Sequence, residues 1–216
     1  MHEKLDQADF RSRIAFVGET LGPFFLQDPV KGDARAAFEA VAALDPHEAG
    51  EEWPFVSDEH AERYLALMTE GLAEGVDNDD LVWEYRRLFI GPAKKPAPPW
   101  GSVYTDRECV VFGESTLALR RWMRENGIER TTDEKTPEDH IGLMLVLLAW
   151  LADAKPELIE QYLGDHVLTW SSHFLEQLAD VAEQPFYEGL ALLAKESLEG
   201  LQSELEIEVE YPRYYR

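Results

Sequence analysis

Residues 141–150 are apolar nearly all round, and this segment constrains the fold of the 216-residue chain more than any other. It is too short to span a bilayer, and a helix without a polar face belongs at the centre of a helical bundle. Just upstream, Thr136 is typical of an N-cap, Pro137 of a first helical residue and Asp139 of an acid in the first turn. The helix is therefore expected to begin near Pro137, with Asp139 and His140 where its buried part meets solvent.

The rest of the chain shows further helical patterns. In residues 5–25 apolar side chains recur every three or four positions, which predicts a long first helix ending near Gly22 and Pro23. Capping and breaking residues delimit the others, expected over residues 34–44, 57–75, 79–89 and 114–126, with three more after Lys155, Thr169 and Gln184, the last over residues 186–206. No convincing period-two pattern predicts a strand. We expect an all-α single domain, residues 1–216, built as a bundle of roughly eight or more helices, with a subdomain break, if any, near residues 127–136.

Composition restricts the classes of partner. Acidic residues outnumber basic ones by 43 to 20, giving a formal net charge of -23, which argues against a nucleic acid because its phosphates would be repelled. A basic partner fits this charge; the alternative is that the acidic surface serves solubility or reflects a salty habitat. The N-terminus lacks the apolar run of a secretory signal and Cys109 is the single cysteine, so a cytoplasmic location without stable membrane insertion is expected.

Four prolines stand between an apolar helix end and a group of aromatic residues, and residues 91–101 are called the recognition loop below. Gly91 predicts a helix stop, and the prolines that follow favour an extended backbone that is stiff without hydrogen-bonded partners. Trp100 and Tyr104 would then present large rings on a backbone with little freedom left to lose, which suits a binding surface. The alternative is a rigid connector in which Trp100 fills the core.

The sequence contains no convincing catalytic constellation. Neither HExxH nor a phosphate-binding glycine motif occurs, and the histidines are not spaced as metal ligands. Ser115 follows a glycine and an acid as in a nucleophile elbow, but Leu117 occupies the position of the second glycine. We therefore expect no enzyme, no metal and no cofactor. The pair Asp139 and His140 is the most interesting titratable group. The histidine beside a carboxylate could act as a pH switch or as a hydrogen-bonding anchor. The alternative is that Asp139 only caps the helix and that the hydrogen bonds of the neighbouring His140 are satisfied within the protein.

Three motifs together resemble the TorD/DmsD-type redox-enzyme maturation chaperones: RLFIGP at 87–92, PPWGSVY at 98–104 and PEDH at 137–140. The resemblance covers the chain from about residue 83 to residue 185. It implies an all-α cytoplasmic chaperone that binds the twin-arginine signal peptide of a dimethyl sulfoxide reductase-like molybdoenzyme subunit and delays export until cofactor loading and folding are complete. The signal-peptide-binding residues that it implies are Tyr85, Leu88, Phe89, Pro99, Trp100, Gly113, Asp139 and His140.

Two departures from the family pattern affect this set. Tyr85 stands where related sequences tend to carry tryptophan, and Ala-Lys-Lys at residues 93–95 replaces a more apolar and aromatic stretch of the loop. Charge and shape nevertheless agree with the implied ligand. A peptide with two arginines and an apolar stretch needs an acidic rim beside an apolar groove, and this composition can supply both.

Other functions stay open at this point. The chain could act mainly on the mature catalytic subunit during molybdenum cofactor insertion, with the signal peptide secondary. A protein that binds or hydrolyses GTP is the alternative from another class, although the missing phosphate loop weighs against it. The Tat translocase is a further candidate partner, the client reductase is not specified, and both a monomer and a domain-swapped dimer are compatible with the sequence.

Overall fold

The computed structural model describes residues 3–32, 34–130 and 136–216, and within these ranges the chain is all-α, as predicted. The described residues form eleven α-helices: α1 Ala8–Leu26, α2 Ala34–Ala42, α3 Pro46–Glu52, α4 Asp58–Gly71, α5 Asp79–Tyr85, α6 Ser102–Thr105, α7 Glu114–Glu125, α8 Ile141–Ala154, α9 Ile159–Tyr162, α10 Ser171–Val181 and α11 Pro185–Glu204. Short 3₁₀ helices, Glu3–Asp6 and Pro156–Leu158, precede α1 and α9, and the π-helical turns Arg86–Ile90 and Leu163–Val167 continue α5 and α9.

Helix α8 packs along α1 in the middle of the fold, and glycines make this contact possible. A Cβ atom on Gly18 would overlap the carbonyl oxygen of Leu145, and one on Gly142 would lie 2.8 Å from the carbonyl oxygen of Gly22. The two backbones therefore approach closer than side chains would allow. Some side chains of α8 are partly exposed, so this helix is buried on most of its surface rather than all of it. No helix in the described ranges is long and apolar enough to cross a membrane.

A second group of helices packs around α11, which contacts α4 and α10. Three phenylalanine rings from different helices, Phe24, Phe38 and Phe186, meet with centroids 4.8 to 5.3 Å apart and join α1, α2 and α11. The buried apolar side chains form one connected core. The suggested break near residues 127–136 falls largely on residues 131–135, which lie outside the described residues, so the domain organisation stays a prediction.

Two helix boundaries differ from those expected. Helix α1 continues through Pro23 to Leu26, because burial of Phe24 and Phe25 outweighs the backbone hydrogen bond that proline cannot make. Asp45 was expected to close a helix but begins one, since its carboxylate accepts hydrogen bonds from two amides in the first turn of α3 at 2.9 and 3.2 Å.

The last residues of the chain leave α11 through a turn at Glu206 and pack against the bundle without regular secondary structure. This C-terminal segment, residues 206–216, buries part of Ile207, Val209 and Tyr214 against the core. Glu208 and Glu210, between and after the two aliphatic residues, are exposed. The segment pairs with no strand among the described residues, although apolar and acidic side chains alternate along it.

Candidate functional site

The recognition loop begins at a helix end of the expected kind. The π-helical turn Arg86–Ile90 stops at Gly91, whose φ of 103° is readily adopted only by glycine. The loop runs from exposed residues near Pro92 to buried ones at Pro98 and Pro99. Its first half therefore lies on the surface, and its second half is anchored in the protein.

Backbone hydrogen bonds join the end of the loop to the segment that precedes α8. The carbonyl of Pro99 accepts from the amide of Ile141 at 2.9 Å, and the amide of Gly101 donates to the carbonyl of Asp139 at 3.1 Å. Between them lies the one isolated β-bridge of the described residues, which sets the loop's tryptophan opposite the histidine of the Asp-His pair. Two of the three sequence motifs thus meet at one place.

Trp100 is half-buried at this junction. Its ring centroid lies 5.8 Å from that of His140 at an interplanar angle of 77°, an edge-to-face contact. The Nζ atom of Lys95 lies 5.3 Å from the centre of the Trp100 ring, close enough for a cation–π interaction, and donates to the carbonyl of Ile90 at 3.2 Å. The Nε1 atom of Trp100 is buried and hydrogen-bonds to none of the described residues. The Trp100 ring therefore neither fills the core nor lies free of contacts with other side chains.

His140 is the N-cap of α8, which corrects the prediction that this helix begins near Pro137 with Thr136 as its cap. The Nδ1 atom of His140 accepts from the amide of Gly142 at 3.1 Å. Burial, assisted by the charge of Lys95, lowers the pKa of His140 from 6.5 to about 3. The imidazole is therefore neutral near pH 7, which favours the anchor over the switch among the two roles considered for this histidine.

Asp139 is also buried, with 2% of its surface exposed, and it does not lie at the solvent boundary as expected. Its Oδ2 atom accepts from the amide of Ser102 at 2.8 Å, so this carboxylate holds the start of α6 rather than that of α8. Burial raises the pKa of Asp139, and the amide and hydroxyl of Ser102 and the hydroxyl of Thr116 partly oppose that rise. The Oδ1 atom has no hydrogen bond of normal geometry to the described residues.

Gly113 lies next to this pair through Ser102. A Cβ atom at position 113 would overlap the carboxylate of Asp106 and come within 3.1 Å of the Cβ atom of Ser102. Burial raises the pKa of Asp106, while the amides of Glu114 and Ser115 at the start of α7 oppose the shift. Glycine is therefore needed at position 113 for α6 and α7 to meet beside Asp139.

The other three residues of the predicted set lie in the core. Tyr85, Leu88 and Phe89 are all buried, and the ring of Phe89 packs 5.9 Å from those of Phe25 and Tyr187. The structure thus groups Pro99, Trp100, Gly113, Asp139 and His140 around one junction. The remaining three lie on the buried face of α5 and of the π-helical turn that leads into the recognition loop.

Two exposed apolar side chains on the same helix and turn were not in the predicted set. Trp83 is 69% exposed and Ile90 is 60% exposed. The helical period of α5 could have indicated Trp83, because Leu81 and Tyr85 on either side of it belong to the buried face. Large exposed apolar side chains beside a loop are candidates for contact with a ligand.

A cavity of about 510 Å³ opens beside Asp139. Gly101 of the recognition loop, the turn at residues 164–170 and the C-terminal segment contribute to its wall. Trp170 and Leu119 supply apolar surface, and Asp165, Glu208 and Glu210 supply carboxylates. The junction therefore adjoins a space that combines apolar and acidic walls.

Comparisons with known proteins agree with the motifs. The family model described as nitrate reductase delta subunit matches residues 57–179. The chain is 41% identical over 205 residues to a probable Tat proofreading chaperone DmsD of Haemophilus influenzae, covering 94% of this chain and 97% of the relative. It is 40% identical over 207 residues to the Tat proofreading chaperone DmsD of Salmonella typhimurium, covering 95% and 97%.

More distant similarities point the same way. The chaperone protein TorD of Vibrio vulnificus is 27% identical over 120 residues, covering 50% of this chain and 56% of the relative. The crystal structure of an Archaeoglobus fulgidus protein assigned to redox enzyme maturation shares the fold, with a TM-score of 0.51, 18% identity and coverage of 92% and 95%. The resemblance seen in the three motifs is confirmed: the chain belongs to the TorD/DmsD-type family of redox-enzyme maturation chaperones.

Proposed function

We propose that this chain is a chaperone that binds the twin-arginine signal peptide of a molybdoenzyme catalytic subunit and delays its export until cofactor loading and folding are complete. The names of the Haemophilus and Salmonella relatives, Tat proofreading chaperones, support this function. The observation that carries it is the junction itself: the backbone joins the recognition loop to Asp139 and His140 beside a cavity with acidic and apolar walls.

Asp139 is the residue proposed to recognise arginine. The hydroxyls of Ser102 and Thr116 lie beside its carboxylate, and a guanidinium that displaces them would gain a charge-assisted bond. Such a bond is worth about 1.5 to 3 kcal/mol, or roughly tenfold to a hundredfold in affinity. A bound guanidinium would also favour the ionised carboxylate and lower the pKa that burial has raised.

Trp100 and Pro99 are proposed to hold the apolar part of the peptide, because the half-buried ring offers a large surface on a backbone that is already fixed. His140 would keep that surface in place as the cap of α8. Tyr85, Leu88 and Phe89 would support the loop from the core, and Gly113 would allow α6 and α7 to meet there. In this arrangement five residues form or border the binding surface and three support it from below.

Titration calorimetry of the purified protein against a twin-arginine signal peptide, a twin-lysine version and a signal-less catalytic subunit tests the proposal. We expect micromolar or tighter binding that favours arginine and weakens with added salt. Absence of binding to every twin-arginine peptide would contradict the proposed function. Binding of the signal-less subunit alone would instead assign the chaperone to the mature enzyme.

The role of Asp139 has its own test. Asp139→Asn keeps an acceptor for the Ser102 amide but removes the charge, so the preference for the arginine over the lysine peptide should fall by about tenfold. Asp153→Ala removes an exposed acid from the other end of α8 and serves as the control for net charge. An unchanged ratio of the two affinities in Asp139→Asn would remove Asp139 from this role.

A further inference from the structure

The exposed side of α8 is apolar, as its buried side is. An apolar stripe runs along it at positions i, i+3, i+4 and i+7, formed by Leu143, Val146, Leu147 and Trp150. Val146 is 41% exposed and Trp150 is 44% exposed. A helix at a protein surface ordinarily turns polar side chains to the solvent. This stripe is therefore a candidate for contact with another molecule.

A groove of about 350 Å³ lies between the stripe and the end of α7, where Met123 and Ile128 form the facing wall. The stripe, Met123 and Ile128 are called the α7–α8 groove below. Its only polar lining side chains among the described residues are those of Glu129, Arg130 and Glu138. The sequence of residues 131–135, TTDEK, offers no large apolar side chain to fill the groove.

Arginines border the α7–α8 groove on the α7 side. A second cavity, of about 670 Å³, adjoins the groove and shares Met123 and Ile128 with it. Its wall contains four of the chain's 20 basic residues, Arg120, Arg121, Arg124 and Arg130, beside two glutamates, Glu129 and Glu138. The local charge is therefore positive on a chain whose formal net charge is -23.

Two of these arginines have no counter-charge. Arg121 and Arg124 are exposed, and their guanidinium groups make neither an ion pair nor a hydrogen bond with the described residues. By contrast, Arg120 pairs with Glu138 at 2.5 Å, and the guanidinium of Arg216 donates to two carbonyls of the recognition loop at 2.9 and 2.8 Å. Arg121 and Arg124 are thus available to an anionic group of a partner.

An apolar stripe flanked by arginines is complementary to an amphipathic helix that carries acids beside its apolar face. Such helices bind in grooves through apolar anchors at i, i+3, i+4 and i+7, and carboxylates form charge-assisted bonds with arginine. The net charge of the chain repels an extended anionic surface such as a nucleic acid, whereas a single helix meets mainly the local arginines. A second copy fits less well, because an isologous contact would bring two positively charged faces together.

We infer that the α7–α8 groove binds an acidic amphipathic helix of a partner protein. The described residues that line it include none of the eight proposed for the signal peptide. The groove is therefore a second binding surface, and the inference does not depend on the proposed function.

Fluorescence anisotropy with a labelled synthetic helix tests the inference on the full chain. The probe carries leucines at i, i+3, i+4 and i+7 with glutamates beside them, and a second probe carries lysines in place of the glutamates. We expect the acidic probe to bind with a Kd below about 100 μM and the lysine probe to bind about tenfold more weakly, although the net charge of the protein favours lysine.

Variants locate the binding. Trp150→Ala should weaken binding of the acidic probe by about tenfold, and Arg121→Gln/Arg124→Gln by about fivefold. The matched control, Arg63→Gln/Arg107→Gln, removes the same charge from two exposed sites that line neither cavity and should change the affinity by less than about twofold. Circular dichroism of each preparation shows whether the variant is folded.

Three results would overturn the inference. The first is absence of binding of the acidic probe to the wild-type chain, and the second is equal affinity of the groove variant and the charge control. The third is a wild-type dimer in light scattering that Trp150→Ala abolishes, which would assign the groove to a second copy of the chain.

Discussion

Asp139 and His140 are neighbours in the chain whose side chains hold different helices, one the start of α6 and the other the start of α8. Burial raises the pKa of Asp139 and lowers that of His140. Both shifts favour the uncharged side chain, so the two residues do not form an ion pair. The sequence predicted a helix that begins near Pro137 with Thr136 as its cap, because threonine is a common cap in isolation, whereas the cap in the structure is His140. The tertiary partners, the Ser102 amide above all, decide the assignment.

Trp100→Ala should weaken peptide binding by about tenfold while leaving the helical circular dichroism unchanged, because the ring is only half-buried and packs at the edge of the core. Calorimetry and spectroscopy on the same preparation measure the two quantities. Trp150→Ala, a partly exposed tryptophan at the other end of α8, is the control and should bind as wild type does. Loss of helical signal in Trp100→Ala would show that the ring is structural.

His140 should make stability depend on pH. Its pKa is 6.5 in the unfolded chain and about 3 in the folded protein, so its contribution is fully present above pH 6.5 and is lost as pH falls toward 3. The loss proceeds at up to about 1.4 kcal/mol per pH unit. His140→Asn can still accept from the Gly142 amide but does not titrate.

The difference in free energy of unfolding between wild type and His140→Asn should therefore shift by about 2 kcal/mol, to the disadvantage of wild type, from about pH 7.5 to about pH 5. Urea denaturation at the two pH values measures it. Subtracting the variant removes the other titrating groups, including Asp139, whose raised pKa acts in the opposite direction. A difference that does not change with pH would contradict a neutral buried histidine.

At the scale of elements, periodicity predicted which side chains each helix buries better than which exposed side chains lie at the candidate site. The apolar face of α5 and its π-helical turn was predicted from spacing, and Leu81, Tyr85 and Leu88 are indeed in the core. Trp83 was not predicted because the helical period was used to identify the buried face of α5, and Trp83 lies on the opposite, exposed face. The C-terminal segment was missed because it has no helical period and no convincing period-two pattern, and its position depends on contacts with distant residues such as Thr169 and Tyr104.

Gly18→Ala should destabilise the protein by about 1 to 3 kcal/mol although alanine favours helices, because a Cβ atom would overlap the Leu145 carbonyl oxygen and lie 2.9 Å from the Ala149 Cβ atom. Chemical denaturation measures the change. Glu19→Ala, exposed at the next position of α1, should shift stability by less than about 0.5 kcal/mol. A stabilised Gly18→Ala would mean that α1 and α8 pack less closely than described.

For the whole molecule, the fold class and the family followed from the sequence, since helical patterns, caps and three motifs agree with one another. The candidate site followed only in part. Joining the recognition loop to Asp139 requires a backbone bridge between residues about forty positions apart, and the acidic cavity requires Glu208 and Glu210 to return from the far end of the chain. Local sequence patterns do not predict contacts between residues that are far apart in the chain, because those contacts depend on how the helices pack.

The hydrogen bonds from Arg216 to the recognition loop can form only after both partners have been synthesised. Assembly of the candidate site therefore depends on the order in which the ribosome synthesises its residues. The carbonyl of Lys95 is made 121 positions before its partner, an interval of roughly 6 to 24 seconds at ordinary rates of synthesis. Until then the loop lacks the two hydrogen bonds that the Arg216 guanidinium donates to its carbonyls. A nascent copy of this chain therefore lacks this contact of the recognition loop until its own translation has reached Arg216.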